Sequence, residues 1–363
     1  MRILVESFCE TESGPVLAHD IAVGLKNNGI DVYCIITNKT ENCNNWLRDI
    51  GDAKVFLWDG TPSKKNPINL LTNTLKMVNY FKNIKFDYVL LTNPAKIDIW
   101  VSKFISYQEN IMILHDAIPH SSTDKGLNDY VYNVVSKADN ILVMSKLFID
   151  TVHRIYNKNN NNILYMRHGL MKYPVYNGDH DAKYCNSKIN FLYFGRIDGY
   201  KGLHILAAAY DLLSRKYHDI TLTVAGGGDF TEYQEEYRKL ERVEVLNKYI
   251  LDSEIAEIFS RPNTVLVLPY LDATQSGVIG TGFNYLTPII ASDTGGIREQ
   301  LFNGAVGRLV HPGDISSLVS EMEKFIIDPT MYSVQLKLME EYKEKMTWDC
   351  ITNELIDDLR QHI

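Results

Sequence analysis

Arg196 and Lys201 stand five residues apart in "FLYFGRIDGYKGLHIL", between an apolar run and a helical pattern that opens on Gly202. A strand-end loop that carries two cations and leads into a helix suits a phosphate. The helix start offers unpaired N–H groups and a partial positive charge. Arg adds a planar fork of donors and Lys a point charge. The plainer alternative is two surface cations on an ordinary strand-to-helix loop. A second stretch, "LDATQSGVIGTGFNYL", follows the apolar run "TVLVLPY". Thr274 and Ser276 are candidate N-caps there, and the N–H groups of Gly277 and Val278 head the first turn. No charged residue lies between Asp272 and Asp293. Hydroxyls, the Gln275 amide and backbone dipoles would make an anion site that needs no carboxylate. A simple capped helix is the alternative.

Weaker signals stand at other strand ends. "TVAGGGDF" places Gly227 in a run that permits close backbone approach by a ligand, without being the GxGxxG fingerprint. "IMILHDAIPH" places His115 just past an apolar run, where an imidazole could hydrogen-bond a substrate. His120 and His168 are lesser candidates of the same kind. Gly14, in "ESG", precedes the first helical pattern. No two histidines have metal-ligand spacing and the five cysteines form no CxxC pair, so no metal site is expected. GxSxG and GxxxxGK[ST] are absent.

The elements that must position these residues alternate along nearly the whole chain. Apolar runs such as "RILVES", "DVYCIIT", "DYVLLTN" and "NILVMS" are separated by helical patterns, for example Val16–Asn27 and Ile68–Phe81. Continuous rather than alternating apolar runs are how parallel strands covered on both faces read. The pattern predicts doubly wound α/β domains. It breaks at "KYPVYNGDHDAKYCNSK", 172–188, and restarts with "NFLYFGR". The expected organisation is a domain over 1–172, a second over 173–345, and a segment 346–363 forming an amphipathic helix that packs back on the first domain. Ile351, Leu355 and Leu359 would share its apolar face. Ligands of such sheets collect at the carboxyl ends of the strands. If the two sets of ends face each other, the cleft between the domains is the site.

The 363 residues carry a net charge of −8. Residues 1–175 hold 19 basic and 17 acidic side chains, +2, which leaves −10 for the remainder. No basic stripe dominates, so nucleic acid is not the expected partner. No apolar window suits a membrane span, and "MRILVESFCE" reads as a strand rather than a signal peptide. Scattered cysteines fit a reducing cytoplasm. The segment 63–86 holds five lysines, no acid, and Leu70, Leu71, Leu75, Met77, Val78 and Phe81. Such a segment could touch an anionic membrane; an ordinary helix with a solvated lysine face is the plainer reading.

In order, "ILHDAIPH", "YFGRIDGYKGLHIL", "LTVAGGGD", "VLPYLDATQSGV" and "PIIASDTGGIREQLFNGAVGRLVHPGD" resemble the family 4 glycosyltransferases. The resemblance is strongest over 190–315. It implies the GT-B fold, two facing Rossmann-like domains with a central cleft. It also implies retaining transfer of a sugar from a nucleotide-diphosphate donor, without a metal or other cofactor. On that resemblance Arg196 and Lys201 match the diphosphate pair, with His115 and Gly14 near the donor. Thr274, Gln275, Ser276, Gly277 and Val278 match the phosphate-holding helix start. Tyr249 and Ile250 fall where the base lies, and Glu299 matches an acidic residue near the ribose. Expected partners are a UDP- or GDP-sugar and a saccharide or polyprenyl-diphosphate-linked acceptor, as in bacterial surface-polysaccharide synthesis. One departure matters. Most members carry two glutamates around this helix; Ala273 or Thr274, and Thr281, stand in their places. That keeps open a weakly catalytic donor-binding or scaffold subunit, besides another GT-B enzyme such as a nucleotide-sugar epimerase.

Overall fold

A computed structural model describes residues 1–11, 13–118, 125–173 and 188–361. Most of the expected linker, with His120 and Glu12, therefore lies outside the described residues. The chain forms two compact units. The first ends at Gly169 and resumes at Thr347, and the second spans Leu170–Met346. The division thus falls at Gly169–Leu170, where the sequence pattern suggested residue 172.

The first unit holds a parallel sheet of β1 (Arg2–Ser7), β2 (Asp31–Thr37), β3 (Val55–Trp58), β4 (Phe86–Leu91), β5 (Tyr107–Leu114), β6 (Asn140–Val143) and β7 (Ile163–Tyr165). Their order is β3-β2-β1-β4-β5-β6-β7. The chain starts mid-sheet and winds outward in both directions, so helices cover both faces. That is why the strands are apolar at successive positions: Ile111 and Ile113 enter one core, Met112 and Leu114 the other. The second unit repeats the plan with β8 (Ile189–Phe194), β9 (Ile220–Ala225), β10 (Val243–Leu246), β11 (Thr264–Leu268), β12 (Ile289–Ser292) and β13 (Arg308–Val310). Its order is β10-β9-β8-β11-β12-β13, again parallel throughout.

The Trp348–Gln361 helix belongs to the first unit and lies along the Ser13–Asn27 helix. Trp348, Ile351, Leu355, Ile356 and Leu359 are buried there. Two glycines make room for it. A Cβ on Gly24 would sit 2.7 Å from the Trp348 carbonyl oxygen, and one on Gly169 would sit 2.8 Å from the indole ring. His168 is buried beside this contact, with Nδ1 2.9 Å from the Gly169 carbonyl. Burial pushes its pKa down to about 4, so the ring is neutral at physiological pH. This histidine packs; it does not titrate in the working range.

A buried acidic pair crosses the other core of this unit. Glu6 on β1 and Asp98 on the Lys96–Ser102 helix are both buried, and among the described residues neither Glu6 oxygen has a hydrogen-bond partner. Burial raises the Glu6 pKa, and the Asp98 charge adds to it. Burial also pushes Asp98 up to about 8, against a smaller opposing hydrogen bond from the Ala95 backbone. A raised carboxyl pKa means that the folded state holds a proton the unfolded chain has released. The associated stability is present below the usual carboxylate range and is lost as pH rises through about 8. Asp98→Asn mimics the protonated form at every pH. It should therefore raise Tm by several degrees at pH 8.5 and by much less at pH 5. Equal shifts at both pH values in a thermal-melt series would show that Asp98 does not titrate in this range.

Candidate functional site

In the second unit, β8 ends at Phe194 and the chain turns at Gly195 in the left-handed region, φ 131°. The turn is fixed from both sides. Gly195 N–H donates to the Ala225 carbonyl (3.0 Å), and the Tyr193 hydroxyl donates to the Arg196 carbonyl (2.7 Å). The Arg196 side chain is 65% exposed with Nη2 3.7 Å from Asp198, so it is anchored at its backbone and accessible at its head. A 3-10 turn, Gly199–Lys201, brings the chain to Gly202, which precedes the Leu203–Lys216 helix.

Lys201 is held by two aromatic faces. Its Nζ lies 3.9 Å from the centroid of Tyr270 and 4.7 Å from that of Tyr200. An ammonium over a ring face is attracted by the ring's negative quadrupole, which positions the charge without neutralising it. Tyr270 is fully buried just past β11, and burial pushes its pKa up to about 12, so the phenol stays neutral. Its hydroxyl lies 3.4 Å from Ser276 Oγ. One ring thus links the lysine to the start of the Gly277–Asn284 helix.

Ser276 is the N-cap of that helix by backbone geometry, φ −144° and ψ 118°, but its hydroxyl makes no capping bond. This corrects the expectation of a side-chain cap: the hydroxyl faces Tyr270 instead. Thr274 is not the cap; its carbonyl accepts from Gly296 N–H, 2.9 Å. Gln300 clamps Ser276 by both backbone groups. Ser276 N–H donates to Gln300 Oε1 (2.8 Å), and Gln300 Nε2 donates to the Ser276 carbonyl (3.0 Å). Gln275 Oε1 is buried and has no hydrogen-bond partner among the described residues. An amide oxygen in that state accepts only from a donor such as a hydroxyl.

Close backbone approaches gather the other strand ends here. A Cβ on Gly195 would touch Val278 at 3.4 Å, and one on Gly226 would meet the Gly195 carbonyl oxygen at 1.9 Å. Gly227 lies against Tyr249, whose backbone nitrogen is 3.4 Å from such a Cβ. Asn247, with its amide nitrogen turned inward, donates to the Gly226 (3.3 Å) and Gly228 (3.2 Å) carbonyls. Tyr249 is exposed and Ile250 buried. Glu299 lies on the short Ile297–Gln300 helix beside Gln300.

The carboxyl ends of β8 to β12 thus bring together Arg196, Lys201, Gly227, Tyr249, Ile250, Thr274, Gln275, Ser276, Gly277, Val278 and Glu299. Gly14 and His115 belong to the first unit. Gly14 sits in the opening turn of the Ser13–Asn27 helix against Cys9. The His115 ring is half-buried past β5, with Nε2 2.9 Å from the Thr92 carbonyl. Sequence reasoning missed Tyr270 and Gln300. Tyr270 had a signal in its place at a strand end; Gln300 acts across 24 residues of chain and had none. Thr281, at one missing glutamate position, is buried and its hydroxyl donates back to the Gly277 carbonyl (3.4 Å).

Residues 188–328 match the family model described as "Glycosyl transferases group 1". Over its full length the structure is similar to Anabaena HepE in complex with UDP and glucose, with a TM-score of 0.69, 16% identity and 100% of each chain covered. It is also similar to sucrose-phosphate synthase from Thermosynechococcus elongatus, with a TM-score of 0.70, 18% identity, and 99% and 98% of the two chains covered. The fold is GT-B. Within this GT-B chain the family-model match lies inside the second unit. A 146-residue stretch is 27% identical to glycogen synthase of Mycobacterium tuberculosis, 38% of this chain and 34% of that protein. The match to these curated relatives thus spans about a third of their length. Among the described residues of the GT-B chain, no helix is long and apolar enough to cross a membrane.

Proposed function

We propose that this protein transfers a hexose-type sugar from a nucleotide-diphosphate donor to a saccharide or polyprenyl-diphosphate-linked acceptor, with retention, in surface-polysaccharide assembly. The observation that carries the reading is the Lys201–Tyr270–Ser276 linkage, which sets a cation and a helix start at one group of strand ends. As the sugar–phosphate bond breaks, negative charge grows on the leaving diphosphate. Arg196, Lys201 and the Gly277 and Val278 N–H groups stabilise that charge more than the ground state. The bond from the anomeric carbon to the acceptor oxygen forms on the face the diphosphate leaves. The acceptor's proton passes to the departing phosphate oxygen. His115 and Gly14 act on the donor-sugar side in this reading. The Gln275 amide oxygen accepts from a donor hydroxyl, and Tyr249, Ile250 and Glu299 serve the base and ribose. UDP is the favoured diphosphate because it is what HepE is described as binding, and GDP is the alternative. The reaction takes place in the cytoplasm or at the inner membrane face. It calls for no metal, so EDTA should leave turnover unchanged.

A second reading, a subunit that binds donor without turning it over, is favoured by Ala273 and Thr281, both buried where carboxylates would stand. One experiment separates the two. Thermal melts with UDP, GDP, dTDP, CDP and ADP identify the base, since ligand at about 100 times its Kd adds roughly 2.7 kcal/mol. The matching sugar donors are then incubated with saccharide acceptors. A shift together with transfer supports the enzyme. A shift with neither transfer nor hydrolysis supports the binding subunit. No shift with any diphosphate, in folded protein, overturns both.

A further inference from the structure

The Pro67–Phe81 helix has two apolar rows, and only one of them faces the core. Leu70, Met77 and Phe81 are buried against the sheet. Ile68, Leu71 and Leu75 are 79%, 61% and 62% exposed, and Val78 is 37% exposed. Spaced i, i+3, i+7 and i+10, these four form one straight stripe on the side of the helix away from the sheet. Exposed apolar residues scattered singly need no explanation, but a contiguous row does.

The charge around the stripe is of one sign. Lys82 continues the row one turn beyond Val78, Lys76 stands about a third of a turn round the helix from it, Lys64 and Lys65 precede the helix and Lys85 follows it; all five are exposed. From Gly60 to Phe86 there is no acidic residue, in a chain whose net charge is −8. The two flanking acids are engaged elsewhere. Asp59 Oδ1 accepts from Asn38 (2.9 Å), and Asp87 Oδ2 accepts from the Arg2 backbone N–H (2.7 Å). A second copy of this face would bring two lysine clusters together. A protein-binding groove would need concavity, and this surface is the convex side of a helix. A stripe of large apolar side chains bounded at both ends by lysines fits an anionic bilayer: the leucines enter the acyl boundary and the ammonium groups meet the headgroups.

We propose that the outward face of the Pro67–Phe81 helix docks this protein on an anionic lipid surface, with the helix lying in the plane of the interface. The proposal is independent of the sugar-transfer reading. It is tested by co-sedimentation of the full chain with vesicles of pure phosphatidylcholine and with vesicles containing phosphatidylglycerol. Binding to the anionic vesicles only, weakened by salt, is expected. Each lysine near such a surface contributes roughly fivefold in partitioning. Lys64→Gln with Lys65→Gln and Lys76→Gln should therefore lower binding about a hundredfold. Leu71→Gln with Leu75→Gln should lower it at least about tenfold, with an unchanged Tm because both side chains already face solvent. Three results would overturn the proposal. The wild type does not bind anionic vesicles; the leucine pair leaves binding intact in folded protein; or the wild type sediments as a dimer that the leucine pair dissolves.

Discussion

Lys201→Ala is expected to lower kcat/KM for sugar transfer by about 10²–10³, the usual effect of removing one preorganised charge from a leaving-group site. The size follows from how the lysine is held. Its ammonium is fixed over Tyr270 and Tyr200 before any ligand arrives, so little is spent in ordering it during the reaction. A flexible surface lysine would lose several rotamers on binding and would act more weakly. The same geometry predicts a small stability cost, about 1–2 kcal/mol for the lost cation–π contacts. Steady-state kinetics beside a melting curve separate the two effects. Tyr270→Phe keeps the ring but removes the hydroxyl that faces Ser276, so it should keep most of the lysine's contribution and weaken only the link to the helix start. If Lys201→Ala leaves kcat/KM where it was, the diphosphate is not held at this loop.

The second large effect is expected at Gly295, whose backbone sits in the left-handed region, φ 50°. A Cβ there would stand 1.6 Å from the Ala273 carbonyl oxygen, far inside contact distance, and the obstacle is backbone. Neither chain can yield by a rotamer change. Gly295→Ala should destabilise the second unit by at least about 3 kcal/mol, combining strain at an unfavourable φ with a forced backbone shift. The shift would pass directly into the candidate site, because Gly296 N–H bonds Thr274 and Gln300 grips Ser276. Denaturant titration should therefore show a lower midpoint, and the protein that remains folded should show weaker thermal stabilisation by its nucleoside diphosphate. Unchanged stability would mean that the 273–276 loop has room the structure does not show.

What could be read ahead of the structure follows from physical range. Parallel strands covered on both faces leave continuous apolar runs, so the doubly wound units and their strand ends were legible. The cations and glycines at those ends were legible for the same reason: they are local. The supports behind them are not local. Nothing near Gln300 shows that its amide will meet both backbone groups of Ser276, and Ser276 has the composition of a capping residue although its hydroxyl faces a tyrosine. The Pro67–Phe81 helix shows a third case. Its apolar residues are evident from the sequence, but periodicity assigns them to rows without saying which row the sheet takes. Leu70 and Leu71 are neighbours in the chain with opposite fates.

The return of residues 348–361 to the first unit has a consequence for synthesis on the ribosome. The groove beside Gly24 and Gly169 has no Trp348 to fill it until that helix emerges, and the 177 residues of Leu170–Met346 must be translated first. At about 5–20 residues per second this takes roughly 10–35 s. For that interval the nascent first unit carries an apolar trough along the Ser13–Asn27 helix while the second unit is still being made. The unit begun first is thus completed last, and its unfilled trough is the surface a chaperone would meet during translation.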